Sequence, residues 1–68
     1  MSFTFKENLK ALRETAGLRQ QDLAERLGTT QRKISYWENG KYEPDIENLC
    51  KLAEFFAVTI DELIGWKD

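Results

Sequence analysis

The sequence predicts an all-α fold, a compact bundle of five short helices. Three observations carry that prediction. Apolar residues recur three and four positions apart, and no stretch alternates polar and apolar residues as a half-buried strand would. All four glycines fall at the ends of such periodic segments, where a helix stop is expected. The one proline, Pro44, lies outside them.

The first helix carries Phe5, Leu9, Leu12 and Ala16 on one face. Thr4 is its expected cap, with Glu7 three residues on in the capping-box position, and Gly17 its stop. The second is QQDLAERL, with Leu23, Ala24 and Leu27 inward and Gly28 at its end. Leu18 and Leu23 have the spacing of a hydrophobic staple. Arg19 occupies the cap position, where Ser, Thr, Asp or Asn is preferred. The third runs from Gln31 to about Asn39, capped by Thr30 and ended by Gly40. After the loop KYEP, Asp45 caps a fourth helix whose expected inner face is Ile46, Leu49, Cys50, Ala53 and Phe56. TIDE is a capping box opening a short fifth helix with Leu63 and Ile64, stopped by Gly65.

Composition narrows the function classes. The 68 residues make one small domain, 1–68. With 41% hydrophobic and 32% charged residues the chain is globular rather than disordered. Cys50 has no cysteine to pair with, and without histidine the usual zinc sites and an activated cysteine nucleophile are excluded. Cys50 is therefore read as a buried apolar residue. The longest apolar run, FFAV, is far too short to span a membrane, and MSFTFKEN is not a secretory signal. The expectation is a cytoplasmic protein that is not an enzyme, with no cofactor, metal or small-molecule ligand. The net charge of −2 conceals an asymmetry: residues 1–42 carry +3 and residues 43–68 carry −5. One basic and one acidic face are expected.

Only Gly28, Thr29 and Thr30 separate the second and third helices. A connection this short makes the two helices cross steeply, the helix-turn-helix arrangement, here at about residues 20–39. Gly28 reaches positive φ at little cost, and the small Ala24 lets the third helix approach.

The segment LRQQDLAERLGTTQRKISYWENGK resembles the phage repressor and Cro type of helix-turn-helix, the XRE-like family. The positions that carry the resemblance are Gln20, Leu23, Ala24, Leu27, Gly28, Ile34, Trp37, Glu38, Gly40 and Lys41. LKALRETAGL before and EPDIENLCKLAEFFAVTIDELIG after extend it over about residues 5–65. It implies a lambda-repressor-like DNA-binding domain whose third helix enters the major groove.

Helical geometry puts Ile34, Trp37 and Glu38 on the side returning to the body, and Gln31, Arg32, Ser35, Tyr36 and Asn39 on the other. The chemistry of the outer side suits base edges. Arg32 offers two donors to guanine O6 and N7, and Gln31 matches adenine N6 and N7. Ser35 lets the helix sit deep, and Tyr36 reaches a thymine methyl or a phosphate. Lys33 suits a phosphate better than a base. The resemblance implies phosphate contacts at Gln20 and at Asn39, Gly40 and Lys41, and Arg19 is added as a further one. It also implies an ion pair between Arg13 and Glu38.

Relatives of this type bind two-fold operators as dimers, with half-sites about 10–10.5 base pairs apart or multiples of that. With no further domain expected after the fifth helix, the candidate dimer surface is Ile60, Leu63, Ile64 and Trp66. The implied function is a sequence-specific DNA-binding transcriptional regulator, most simply a repressor. The alternative is a protein-interaction module of the antitoxin or adaptor type, docking through the acidic half.

Overall fold

The computed structural model describes residues 3–66. Five helices follow one another: α1 (Phe5–Thr15), α2 (Gln20–Leu27), α3 (Gln31–Glu38), α4 (Ile46–Phe56) and α5 (Ile60–Ile64). None is long enough to be stable alone in water, so tertiary packing must hold them. Leu9, Leu23, Ile34, Leu52 and Leu63, one from each helix, are completely buried and meet in a single core. Trp37, Phe5, Leu27, Ala24 and Ala53 complete it. Burial of each such aliphatic side chain contributes about 1.5–3 kcal/mol. α3 packs on both α1 and α2, α5 closes against α1 and α4, and α4 leans on α2.

The caps show how the short helices are terminated. Thr30 Oγ1 accepts from the Lys33 amide at 3.3 Å, and Asp45 Oδ1 accepts from the Asn48 amide at 3.0 Å. At α5 the box is reciprocal: Thr59 Oγ1 accepts from the Glu62 amide, and the Thr59 amide donates to Glu62 Oε1. The Thr59 amide, and after it the Thr59 hydroxyl, hold the Glu62 carboxyl below its ordinary value. α3 ends one residue earlier than the sequence predicts, at Glu38, with Asn39 in the turn.

Three expectations are corrected. Thr4 does not cap α1 with its side chain. Its amide donates instead to the Ile64 carbonyl at 3.0 Å, while Asn8 Nδ2 donates to the carbonyls of Glu62 and Leu63 at 3.2 Å each. The start of α1 thus caps the end of α5, and a β-carbon on Gly65 would run into Thr4 Oγ1. Ala16, expected on the inner face of α1, lies exposed in the turn after it. The inner stripe of α4 keeps Leu49, Ala53 and Phe56 but exchanges Ile46 and Cys50 for Leu52. Leu52 reaches the centre, whereas Ile46 is 78% exposed and Cys50 is an exposed free thiol. Both stripes have helical spacing, and the choice between them falls to the neighbours, because α2 and α5 bracket the side bearing Leu49, Leu52, Ala53 and Phe56.

The candidate dimer surface is also altered. Leu63 is wholly buried, so it closes the core and offers nothing outward. Ile64 is half-buried against the same core. Ile60 and Trp66 remain exposed, and the Trp66 ring packs on exposed Phe3, centroid to centroid 4.6 Å. No helix among the described residues is long and apolar enough to cross a membrane.

Candidate nucleic-acid interface

α3 presents two chemically different sides. Ile34, Trp37 and Glu38 are buried against the body. Gln31, Arg32 and Lys33, the first three residues of the helix, are exposed, and Ser35 and Tyr36 are half-buried behind them. Asn39 is exposed and donates from Nδ2 to Ser35 Oγ at 3.2 Å. The three-residue turn from Gly28 brings the N-terminus of α3 beside that of α2: Gln31 Nε2 donates to Gln20 Oε1 at 3.3 Å.

From Gln20 a continuous chain of bonds leads inward. Gln20 Nε2 donates to Glu38 Oε1 at 3.2 Å. Glu38 accepts two bonds from Arg13, from Nε at 2.6 Å and from Nη2 at 2.9 Å. Arg13 Nη1 completes its fork on the Leu18 carbonyl, 2.9 Å away. This buried pair joins α1 to α3 with a bidentate geometry, the strongest form of a charged hydrogen bond. The bond to Glu38 raises the Arg13 guanidinium above its ordinary value, against a smaller lowering by burial. No buried side-chain nitrogen or oxygen among the described residues is left without a partner. The exposed Gln31 is therefore anchored through Gln20 to a fully satisfied interior.

At the start of α2, the missing small cap is replaced from the other side. The Arg19 amide donates to Asp22 Oδ2 at 2.9 Å, and the Arg19 guanidinium grips both oxygens of the same carboxylate at 3.0 and 2.9 Å. The guanidinium bond and then the amide bond hold Asp22 down to about 2. Arg19 is thus solvent-facing, but its charge is shared with Asp22.

The C-terminal end of α3 holds a residue the sequence reading passes over. Gly40 takes the left-handed conformation, its amide donates to the Trp37 carbonyl at 3.3 Å, and the Lys41 amide donates to the Tyr36 carbonyl at 2.9 Å. This is the Schellman termination, which sets Lys41 against Tyr36. Lys41 Nζ lies 4.4 Å from the Tyr36 ring centroid, and Tyr42 meets the same ring edge-on at 5.2 Å and 67°. Tyr42 sits in what reads as a plain loop. An aromatic two residues beyond a helix-ending glycine is the only signal that marks it.

The candidate site is thus assembled from the N-terminus of α2, the outer side of α3 and the turn after α3. Gln20, Gln31, Arg32, Lys33, Ser35, Tyr36, Asn39, Gly40 and Lys41 all belong to these segments. Among the described residues, no group of three or more Asp, Glu, Cys or His is placed to hold a metal ion.

Comparison with known proteins identifies the family of the fold. The helix-turn-helix family model matches residues 9–63. The HTH-type transcriptional activator BcrR of Enterococcus faecalis is 44% identical over 64 residues, covering 94% of this chain and 31% of BcrR. An uncharacterized HTH-type transcriptional regulator of Methanocaldococcus jannaschii is 38% identical over 93% of this chain and 96% of its own length. The chain therefore spans nearly all of one relative and under a third of the other. Among solved structures, the P22 c2 repressor in complex with a synthetic operator superposes with a TM-score of 0.84 at 32% identity, over 88% of this chain and 91% of the repressor chain. In helix order, in the turn between α2 and α3 and in sequence, this chain belongs to the repressor and Cro type of the helix-turn-helix family.

Proposed function

We propose that this chain is a sequence-specific DNA-binding transcriptional regulator that reads the major groove with α3 as one DNA-binding unit, residues 1–68. The observation that carries the reading is the division of α3: a buried side fixed through Glu38 to Arg13, and an outer side of Gln31, Arg32 and Lys33 left exposed at its N-terminus. The likeness to a repressor solved on its operator supports it. Gln31, Arg32, Ser35 and Tyr36 face base edges, with Arg32 bidentate to a guanine. Gln20, Lys33, Asn39, Gly40 and Lys41 hold phosphates and set the register. Arg19 supplies a lesser phosphate contact, because Asp22 already engages its guanidinium.

The operator is two-fold and the chain binds it as a homodimer, since one short helix makes too few base contacts for useful specificity. Exposed Ile60 and the exposed Trp66–Phe3 ring pair form the apolar part of the dimer surface, with Ile64 at its edge. Occupying a promoter makes the regulator most simply a repressor, acting in the cytoplasm. BcrR is named an activator, so polymerase recruitment from the same DNA-bound pose is the alternative outcome.

The test is binding to random-sequence duplex across a salt series, followed by selection from a random duplex pool. We expect log K to fall linearly with log salt and a two-fold consensus to emerge. No binding at low salt would overturn the reading in favour of a protein-interaction module.

A further inference from the structure

We propose that Tyr42 is a specificity-determining positioning residue: with Lys41 it fixes the orientation of the Tyr36 ring and so sets the base preference under Tyr36 without touching a base. This rests on the DNA-reading role proposed for α3. Tyr36 is the last of the outer-side residues within the helix, half-buried and a full turn beyond Arg32. A tyrosine at such a position commonly chooses between two χ1 wells.

Here three restraints converge on it. The bond from the Lys41 amide to the Tyr36 carbonyl pins the returning chain over the ring. The Lys41 ammonium covers the ring within cation–π range. Tyr42 then closes the flank in an edge-on contact at a preferred aromatic separation. In the usual helix termination of this type the two residues Lys41 and Tyr36 would make an apolar contact. The charged contact used here places a cation on the outer side of α3 and restrains the ring beforehand, so that less rotational freedom is lost on binding. Tyr42 lies beyond the turn at Gly40, and its ring packs on Tyr36, so its effect is assigned through Tyr36.

The test uses the full 68-residue chain with selection from a random duplex pool, comparing Tyr42→Ala, Tyr42→Leu, Tyr42→Phe and Tyr36→Ala. Tyr42→Ala and Tyr42→Leu are expected to relax the preference at one base pair of each half-site by roughly three- to tenfold, the same base pair that Tyr36→Ala relaxes. Tyr42→Phe retains the ring and is expected to retain the preference. The salt slope of the Tyr42 variants stays that of the unaltered chain, since no phosphate contact is removed. Unchanged preference in Tyr42→Ala and Tyr42→Leu, or equal weakening on all sequences, overturns the inference while leaving the DNA-reading role intact. Failure of the unaltered chain to bind any duplex at low salt overturns both.

Discussion

The Arg13–Glu38 pair makes the sharpest prediction about how the interface is held. Glu38→Gln keeps the size of the side chain and removes its charge. The carboxylate takes 2.6 and 2.9 Å bonds from Arg13 and a 3.2 Å bond from Gln20, with its side chain only 3% exposed. A glutamine oxygen can keep part of that set, but its NH2 would face a donor, and Arg13 is left charged in the interior. Breaking a buried pair from one side costs about 3–5 kcal/mol. The whole domain, at about 0.05–0.15 kcal/mol per residue, has roughly 3–10 kcal/mol to lose. The variant should therefore melt at least about 12 °C lower, or be unfolded at room temperature. Urea unfolding followed by far-UV circular dichroism measures this, with the slope m showing whether the transition stays two-state. The double variant Arg13→Met/Glu38→Leu removes both charges and should recover most of the loss. A cost below about 1 kcal/mol for Glu38→Gln would mean the pair behaves as a solvated surface bridge. A double variant as unstable as the single one would refute the unpaired-charge explanation.

Other consequences are equally direct. Gly65→Ala should destabilise by about 2–4 kcal/mol, from left-handed backbone strain plus the collision with Thr4 Oγ1; a urea midpoint unchanged from the parent would contradict the close approach of α1 and α5. The depressed Asp22 carboxyl contributes stability that is full above about pH 4, the unfolded value, and disappears as pH falls towards about 2. Unfolding curves between pH 5 and 2 should therefore be flatter for Asp22→Asn than for the parent, and identical profiles would remove Asp22 from the account. On DNA, Arg32→Ala should cost about 1–3 kcal/mol and relax one base pair, whereas Lys33→Ala should weaken all sequences alike and reduce the salt slope by about one. Exchange of those two patterns in a selection and salt series would reverse the roles given to the two side chains.

Local signals fixed in the sequence account for much of the structure. The five helices, the three-residue turn and the caps at Thr30, Asp45 and Thr59 follow from residues a few positions apart, and caps and turns are decided at that range. The inward set of α3 was equally legible, because Ile34, Trp37 and Glu38 can share only one side of a short helix. Tertiary structure decided what depends on neighbours far along the chain. Thr4 lost its capping role because its backbone, with ψ 29°, leaves the extended conformation that Thr30, Asp45 and Thr59 use to cap, while its amide bonds the end of α5. The α4 stripe turned away from Ile46 and Cys50 because α2 and α5 occupy the other side. Leu63 was taken from the outer surface into the core. The bonds from Gln31 through Gln20 to Glu38 and the ring of Tyr42 against Tyr36 also lie outside any local pattern. Periodicity states that a helix has an apolar side, but where that side points, and which outer side chains are braced for contact, is set by the helices packed around it.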